Sequence, residues 1–189
     1  MSKSRAFTLI EFLVVITIMG VLAGLLIPSV ARARANEKRA RCAAQLHQIG
    51  QMLAMYFHDH HDTLPKVNMM PSLQPQLNNN PSLVQLLEAY AHGSTQVFHC
   101  PADRITQPAF SAPPGFETYF AREQSSYYWK EDISIYASRI TELKNGGRVP
   151  LVQEYEPFHG RAGVSGSMNR LYADLHVDDI VHSKMVIGG

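Results

Sequence analysis

Glu11 is the one charged side chain in an apolar run that extends from Phe7 to about Ala31. A carboxylate near the middle of a bilayer costs roughly 2.5–3.5 kcal/mol on insertion scales. A plain anchor has no use for it, so its position calls for a positive partner. The two cysteines, Cys42 and Cys100, are a second chemistry-bearing set. In an oxidising compartment they can bridge a long helix to a loop, a constraint of roughly 3–5 kcal/mol in the chain-entropy model. They can equally stay as separate thiols, because spacing alone does not bring two Cα atoms within bridging range. A third set is acidic: Asp174, Asp178 and Asp179, with Glu154 and Glu156 on another expected strand. Calcium takes oxygen ligands of this kind, whereas the plainer reading is a charged hairpin edge that discourages strand addition.

Other polar clusters carry less chemistry. His58-Asp59-His60-His61-Asp62 holds metal-ligand types. It lies at the expected end of a helix, and no Cys/His framework completes it. His159 and Asp174 could be neighbours, but nothing supplies an activated third group. Ser165-Gly166-Ser167 is no nucleophile turn. Phosphate loops and dinucleotide fingerprints are missing from the sequence, so no enzyme is expected.

The elements that must position these residues follow from periodicity. Residues 7–31 as a helix span roughly 37 Å, against about 30 Å for the hydrocarbon core. Gly20 and Gly24 form a small-xxx-small pair that lets helices approach closely. Pro28 removes a backbone donor and loosens the helix. Cys42, Leu46, Ile49, Leu53 and Tyr56 recur at steps of four and three, which marks one face of an amphipathic continuation. Thr63-Leu64-Pro65 closes it. Residues 65–82 and 101–118 read as loops, rich in proline. Ser82 caps a short helix. Strands are expected near Ser126–Trp129, Val149–Glu154, Arg170–Ala173 and His176–Val181. Helix first and strands last argue for an α+β head with a small antiparallel sheet. The layout is thus a leader (1–6), a membrane or filament-core helix (7–31), its amphipathic continuation (32–62) and a globular head (63–189).

The start, Ala6 followed by Phe7-Thr8-Leu9-Ile10-Glu11 behind Lys3 and Arg5, resembles the leader and first helix of type IV prepilins and type II secretion pseudopilins. The resemblance implies a pilin-like fold and cleavage between Ala6 and Phe7 by a prepilin peptidase. It also implies methylation of the new Phe7 amine, and pairing of Glu11 with the Phe7 amine of a neighbouring subunit. Ala6 stands where the family usually has glycine. Head segments are similar to a large group of bacterial prepilin-like proteins: Cys42–Gly50, Phe98-His99-Cys100-Pro101-Ala102-Asp103, Ser125-Ser126-Tyr127, and His159-Gly160 followed by Asn169–Val177. Their usual Asp-Gly-His-Val reads Asp174-Leu175-His176-Val177 here, so a turn needing positive φ is not expected at Leu175. Major pseudopilins of the family carry a calcium site in their C-terminal region, although this chain lacks a clear copy of that loop. The implied partners are the peptidase, other pilin or pseudopilin subunits, an inner-membrane assembly platform and the lipid bilayer. The implied place is the bacterial inner membrane, single-pass, with the head in the periplasm or envelope.

Charge bounds the alternatives. There are 17 basic and 16 acidic residues; loss of Lys3 and Arg5 leaves 15 against 16. That balance gives no reason to expect nucleic acid. Arg32, Arg34, Lys38, Arg39 and Arg41 follow the apolar run, and on the positive-inside rule they favour the orientation opposite to the family's. An ordinary secretory signal would be cut near Ala23-Gly24 or Ala31-Arg32-Ala33. The competing function is a membrane-tethered envelope binding module that does not polymerise, using Tyr127, Tyr128, Trp129 and Tyr155. A weaker alternative is an envelope hydrolase at His159 and Asp174.

Overall fold

The computed structural model describes residues 9–73, 80–106 and 115–179. Helix α1 spans Leu9–Asp59. The chain divides between Glu37 and Lys38 into an N-terminal unit and a head unit, and α1 contributes to both. In the N-terminal unit every described side chain is exposed, including Leu9, Phe12, Ile18, Leu22, Leu26 and Ile27. The two hydroxyls of this stretch bond inside the helix, Thr17 to the Val14 carbonyl and Ser29 to the Leu26 carbonyl. They therefore present no unsatisfied donor to an apolar medium.

In the head unit the same helix changes character. Cys42, Leu46, Ile49, Met52, Leu53, Tyr56 and Phe57 are buried, the face that the alternating four and three spacing predicts. It packs on an antiparallel sheet in the order β1-β2-β3-β4, with β1 Tyr127–Trp129, β2 Pro150–Glu154, β3 Arg170–Tyr172 and β4 Val177–Asp178. Tyr127 faces Glu154 and Trp129 faces Val152. Val152 faces Leu171, with a register shift between Pro150 and Val152. Leu171 faces Val177. Gly50 is what lets the helix meet the sheet: a Cβ there would lie 2.9 Å from Leu171 Cδ1, closer than carbon atoms pack.

Three short helices complete the described head: α2 Leu83–Leu87, α3 Tyr119–Glu123 and α4 Ile133–Tyr136. Ser82 caps α2 in a reciprocal box, its Oγ accepting from Gln85 N while Gln85 Oε1 accepts from Ser82 N. Strands this short leave much backbone outside the ladder, and buried or half-buried carboxylates take up several of its donors. Glu131 accepts from Met69 N. Glu123 accepts from Ser72 N. Glu156 accepts from Thr106 N and from the Tyr119 hydroxyl.

The structure differs from the sequence reading at the last hairpin. Leu175 sits in the left-handed region at φ 67°, where a leucine was not expected to be placed. The β3–β4 connection forces it: Tyr172 N bonds the His176 carbonyl, and Leu175 N bonds the Tyr172 carbonyl. A residue between those two bonds must turn back on itself. The leucine stays because it packs against the core, which offsets a backbone cost of about 1–2 kcal/mol. The strand expected to reach Val181 ends at Asp178, and residues 180–181 lie outside the described part.

Two losses then trade at Leu175→Gly, side-chain packing against backbone strain. That variant is expected to stay within about 1 kcal/mol of the parent, whereas Leu171→Ala, in the same hairpin and fully buried, costs about 2–5 kcal/mol. Urea melts of the two variants check this; equal losses would show that Leu175 carries no strain.

Candidate functional site

The N-terminal unit is a helix by composition as much as by contacts. It is long and apolar enough to cross a membrane, and none of that window is buried. Glu11 lies in the first described turn of α1. A Cβ added at Gly20 or Gly24 would meet nothing within 4 Å. Neither glycine is therefore required by packing inside this chain, and both leave the helix surface open to a close neighbour. Pro28 is inside α1. Ala6 and Phe7, the expected cleavage and methylation positions, lie outside the described residues.

The centre of the head is built around a disulfide. Cys42, from α1, is joined to Cys100, with Cα atoms 5.0 Å apart at a sequence separation of 58. Cys100 follows a short 3-10 turn, Gln96–Phe98. Gln45 fastens that turn to the helix, its Nε2 donating to the carbonyls of Gln96 and His99. The Tyr127 hydroxyl lies within reach of the Cys42 carbonyl and donates to Gln45 Oε1 at 2.9 Å; burial pushes that phenol well above its ordinary range. Beside the sulfurs lies a buried polar group. Glu154, wholly enclosed at the end of β2, accepts from Asn169 N and Asn169 Nδ2. His159 Nε2 is 3.0 Å from Glu154 Oε1 and 3.7 Å from Cys100 Sγ.

Asp103 organises the segment after Cys100. Its two oxygens accept from Tyr119 N and Phe120 N at the start of α3, and from the Ser126 hydroxyl. Ser126 Oγ in turn accepts from Cys100 N. The Cys-Pro-x-Asp segment is thus one hydrogen-bonded clamp between the bridge, α3 and β1.

Several expected groupings do not form. His159 pairs with Glu154 and not with Asp174, which instead meets His176. Burial works against ionisation of Asp174, yet the His176 hydrogen bonds win and hold its carboxyl below the ordinary value. Asp179 pairs with Arg39, and Asp178 accepts from Asp179 N. Among the described residues the three form no common ligand group, and the one group of at least three candidate metal ligands is Cys42, Cys100, Glu154 and His159. Tyr127 and Trp129 are fully buried, so they are core and not a ligand platform. In the histidine-rich stretch, His60 stacks on Tyr56 and Asp59 accepts from Tyr90. Sequence reasoning passed over the Glu154–His159–Asn169 group, because its members are distant in sequence from the cysteines they surround.

Comparison with known proteins bears on the same two regions. Residues 1–27 match the prokaryotic N-terminal methylation motif. The chain carries a prepilin-type N-terminus. It is similar to the type II secretion system core protein G of Klebsiella pneumoniae, 28% identical over 127 residues, which cover 57% of this chain and 91% of that protein. The protein of the same name from Escherichia coli K12 is 27% identical, covering 61% of this chain and 85% of its own length. The one from Pectobacterium carotovorum is 30% identical over 86 residues, 42% of this chain and 55% of that protein. No solved structure matches the chain. The chain therefore joins an apolar N-terminal helix, matched by that motif, to an α+β head with a four-stranded antiparallel sheet.

Two measurements follow for this head. Burial pushes the Asp103 carboxyl up, against the hydrogen bonds from Ser126, Phe120 and Tyr119. A raised carboxyl binds its proton more tightly folded than unfolded. Its contribution is then fully present below the ordinary value and is lost as pH rises through the folded value. The stability lost in Asp103→Asn should accordingly be larger at about pH 4 than at about pH 7 by urea melts; a gap that widens toward neutrality contradicts the assignment. Replacing Cys42 and Cys100 by serine should cost about 4 kcal/mol for a loop of this length, read from the same melts.

Proposed function

We propose that this protein is a structural subunit of an envelope filament of a type II secretion or type IV pilus-like system. The peptidase cuts between Ala6 and Phe7, the Phe7 amine is methylated, and the subunit is stored in the bacterial inner membrane with its head on the outer side. The single observation that carries this reading is the pairing of a matched methylation motif with a helix whose apolar side chains from Leu9 to Val30 are all exposed. In the membrane lipid covers that surface. In a filament neighbouring helices cover it, and Gly20 and Gly24 are the places of closest approach.

The mechanism is helix-bundle polymerisation. Each incoming subunit leaves the bilayer when its Glu11 meets the Phe7 amine of a neighbour. The ion pair offsets the cost of holding either charge in an apolar surrounding. Because the partners sit at fixed heights on two helices, their pairing sets the axial step. The assembly platform supplies the motion, and the heads decorate the outside. This role needs no catalytic group.

The tethered binding module stays distinguishable. Cysteine placed by Gly20→Cys should give cross-linked ladders in native membranes if the helices bundle, and monomers if the protein is only an anchor. Glu11→Ala should insert normally and fail to assemble. Filaments of ordinary abundance from that variant would refute the register role.

A further inference from the structure

The head holds a polar group that a structural disulfide does not need. Glu154 is completely buried, and burying a carboxylate is costly unless it is paired and hydrogen-bonded. A bridge between α1 and the Cys100 loop would be served as well by apolar neighbours. Instead His159, itself almost wholly enclosed, turns Nε2 toward both Glu154 and Cys100 Sγ. The four donor atoms, two sulfurs, one imidazole nitrogen and one carboxylate oxygen, all lie within 4.8 Å of one another. They come from four places in the fold: α1, the loop after the 3-10 turn, the end of β2 and the segment that follows it.

We propose that, when the disulfide is reduced, Cys42, Cys100, His159 and Glu154 form a tetrahedral site for a borderline divalent metal ion such as Zn2+. Metal–ligand lengths of about 2.0–2.3 Å put neighbouring donors in a tetrahedron roughly 3.3–3.8 Å apart. The nitrogen–sulfur separation of 3.7 Å already falls in that range, and the nitrogen–oxygen separation of 3.0 Å is close to it. The two sulfurs, joined at bonding distance in the bridge, have to part. The donor set of two thiolates, an imidazole and a carboxylate suits zinc better than calcium or magnesium, which prefer oxygen alone. Asn169 provides the supporting layer that such sites use, holding Glu154 through both its backbone and side-chain nitrogens.

The steps balance. A dithiol gives two electrons and two protons to the bridge: the Cys42–Cys100 bond breaks, two protein thiols form, and the reductant closes its own disulfide. The metal ion then displaces the two thiol protons to solvent and takes the His159 Nε2 lone pair, with the imidazole proton on Nδ1. Oxidation reverses this, re-forming the bridge and releasing the ion. The head would then be cross-linked in both redox states, by metal before the bridge closes and by the bridge afterwards. This inference rests on the head alone and is independent of the filament reading.

The test uses the full chain in detergent micelles, reduced with a phosphine, and Co2+ as the probe. The expected result is one Co2+ bound per chain, with a thiolate-to-cobalt charge-transfer band and the intense visible bands of tetrahedral cobalt, displaced by one equivalent of Zn2+. The unreduced chain should show neither band. His159→Ala should weaken binding at least ~10-fold, and circular dichroism of its oxidised form verifies that the head still folds. His159→Cys should restore tight binding and enlarge the charge-transfer band through its added thiolate. A reduced parent chain without these bands, or a folded His159→Ala that binds as tightly as the parent, overturns the proposal.

Discussion

A helix that leaves its apolar side chains uncovered from Leu9 to Val30 cannot remain so in water. Each such side chain is worth roughly 1.5–3 kcal/mol when buried, so the need for a covering surface outweighs any other single term in this molecule. Lipid and other helices are the two media that can satisfy the demand. The proposed filament uses both in turn: close-approaching glycines serve a helix neighbour more than fluid lipid, and a carboxylate is costly in lipid.

The head solves a different problem. Its sheet is too short for ladder hydrogen bonds to fix long proline-rich connections, so acidic side chains do that work. Asp103 holds the start of α3, Glu123 and Glu131 hold the loop after Pro65, and Glu156 holds Thr106. The disulfide adds a covalent tie between α1 and the same region. Within the head, the C-terminal half of α1 is held by the close approach at Gly50, the Cys42 bridge and the Gln45–Tyr127 contact.

Much of this was legible in the sequence, and the parts that were not share a cause. The buried face of α1 and the Ser82 cap follow from local rules of spacing and side-chain chemistry, and the four strands were found to within a few residues. The fold class follows from their order. What escaped was set by tertiary geometry. Leu175 adopts a left-handed conformation because two hairpin hydrogen bonds impose it, against the local preference of leucine. Glu154, His159 and Asn169 converge on the cysteines through the pairing of β2 with β3, which no local pattern announces. The acidic C-terminal cluster reads as one group because its members are close in sequence, but in the structure Asp174 meets His176 while Asp179 meets Arg39.

The most direct measurement of the central claim is the intact mass of the protein purified from its native membrane. The account predicts loss of Met1–Ala6 and the addition of one methyl group, giving the methylated Phe7 amine that Glu11 is placed to meet. A chain of full length, or one cut beyond the apolar run, would leave Glu11 without that partner and contradict the filament mechanism.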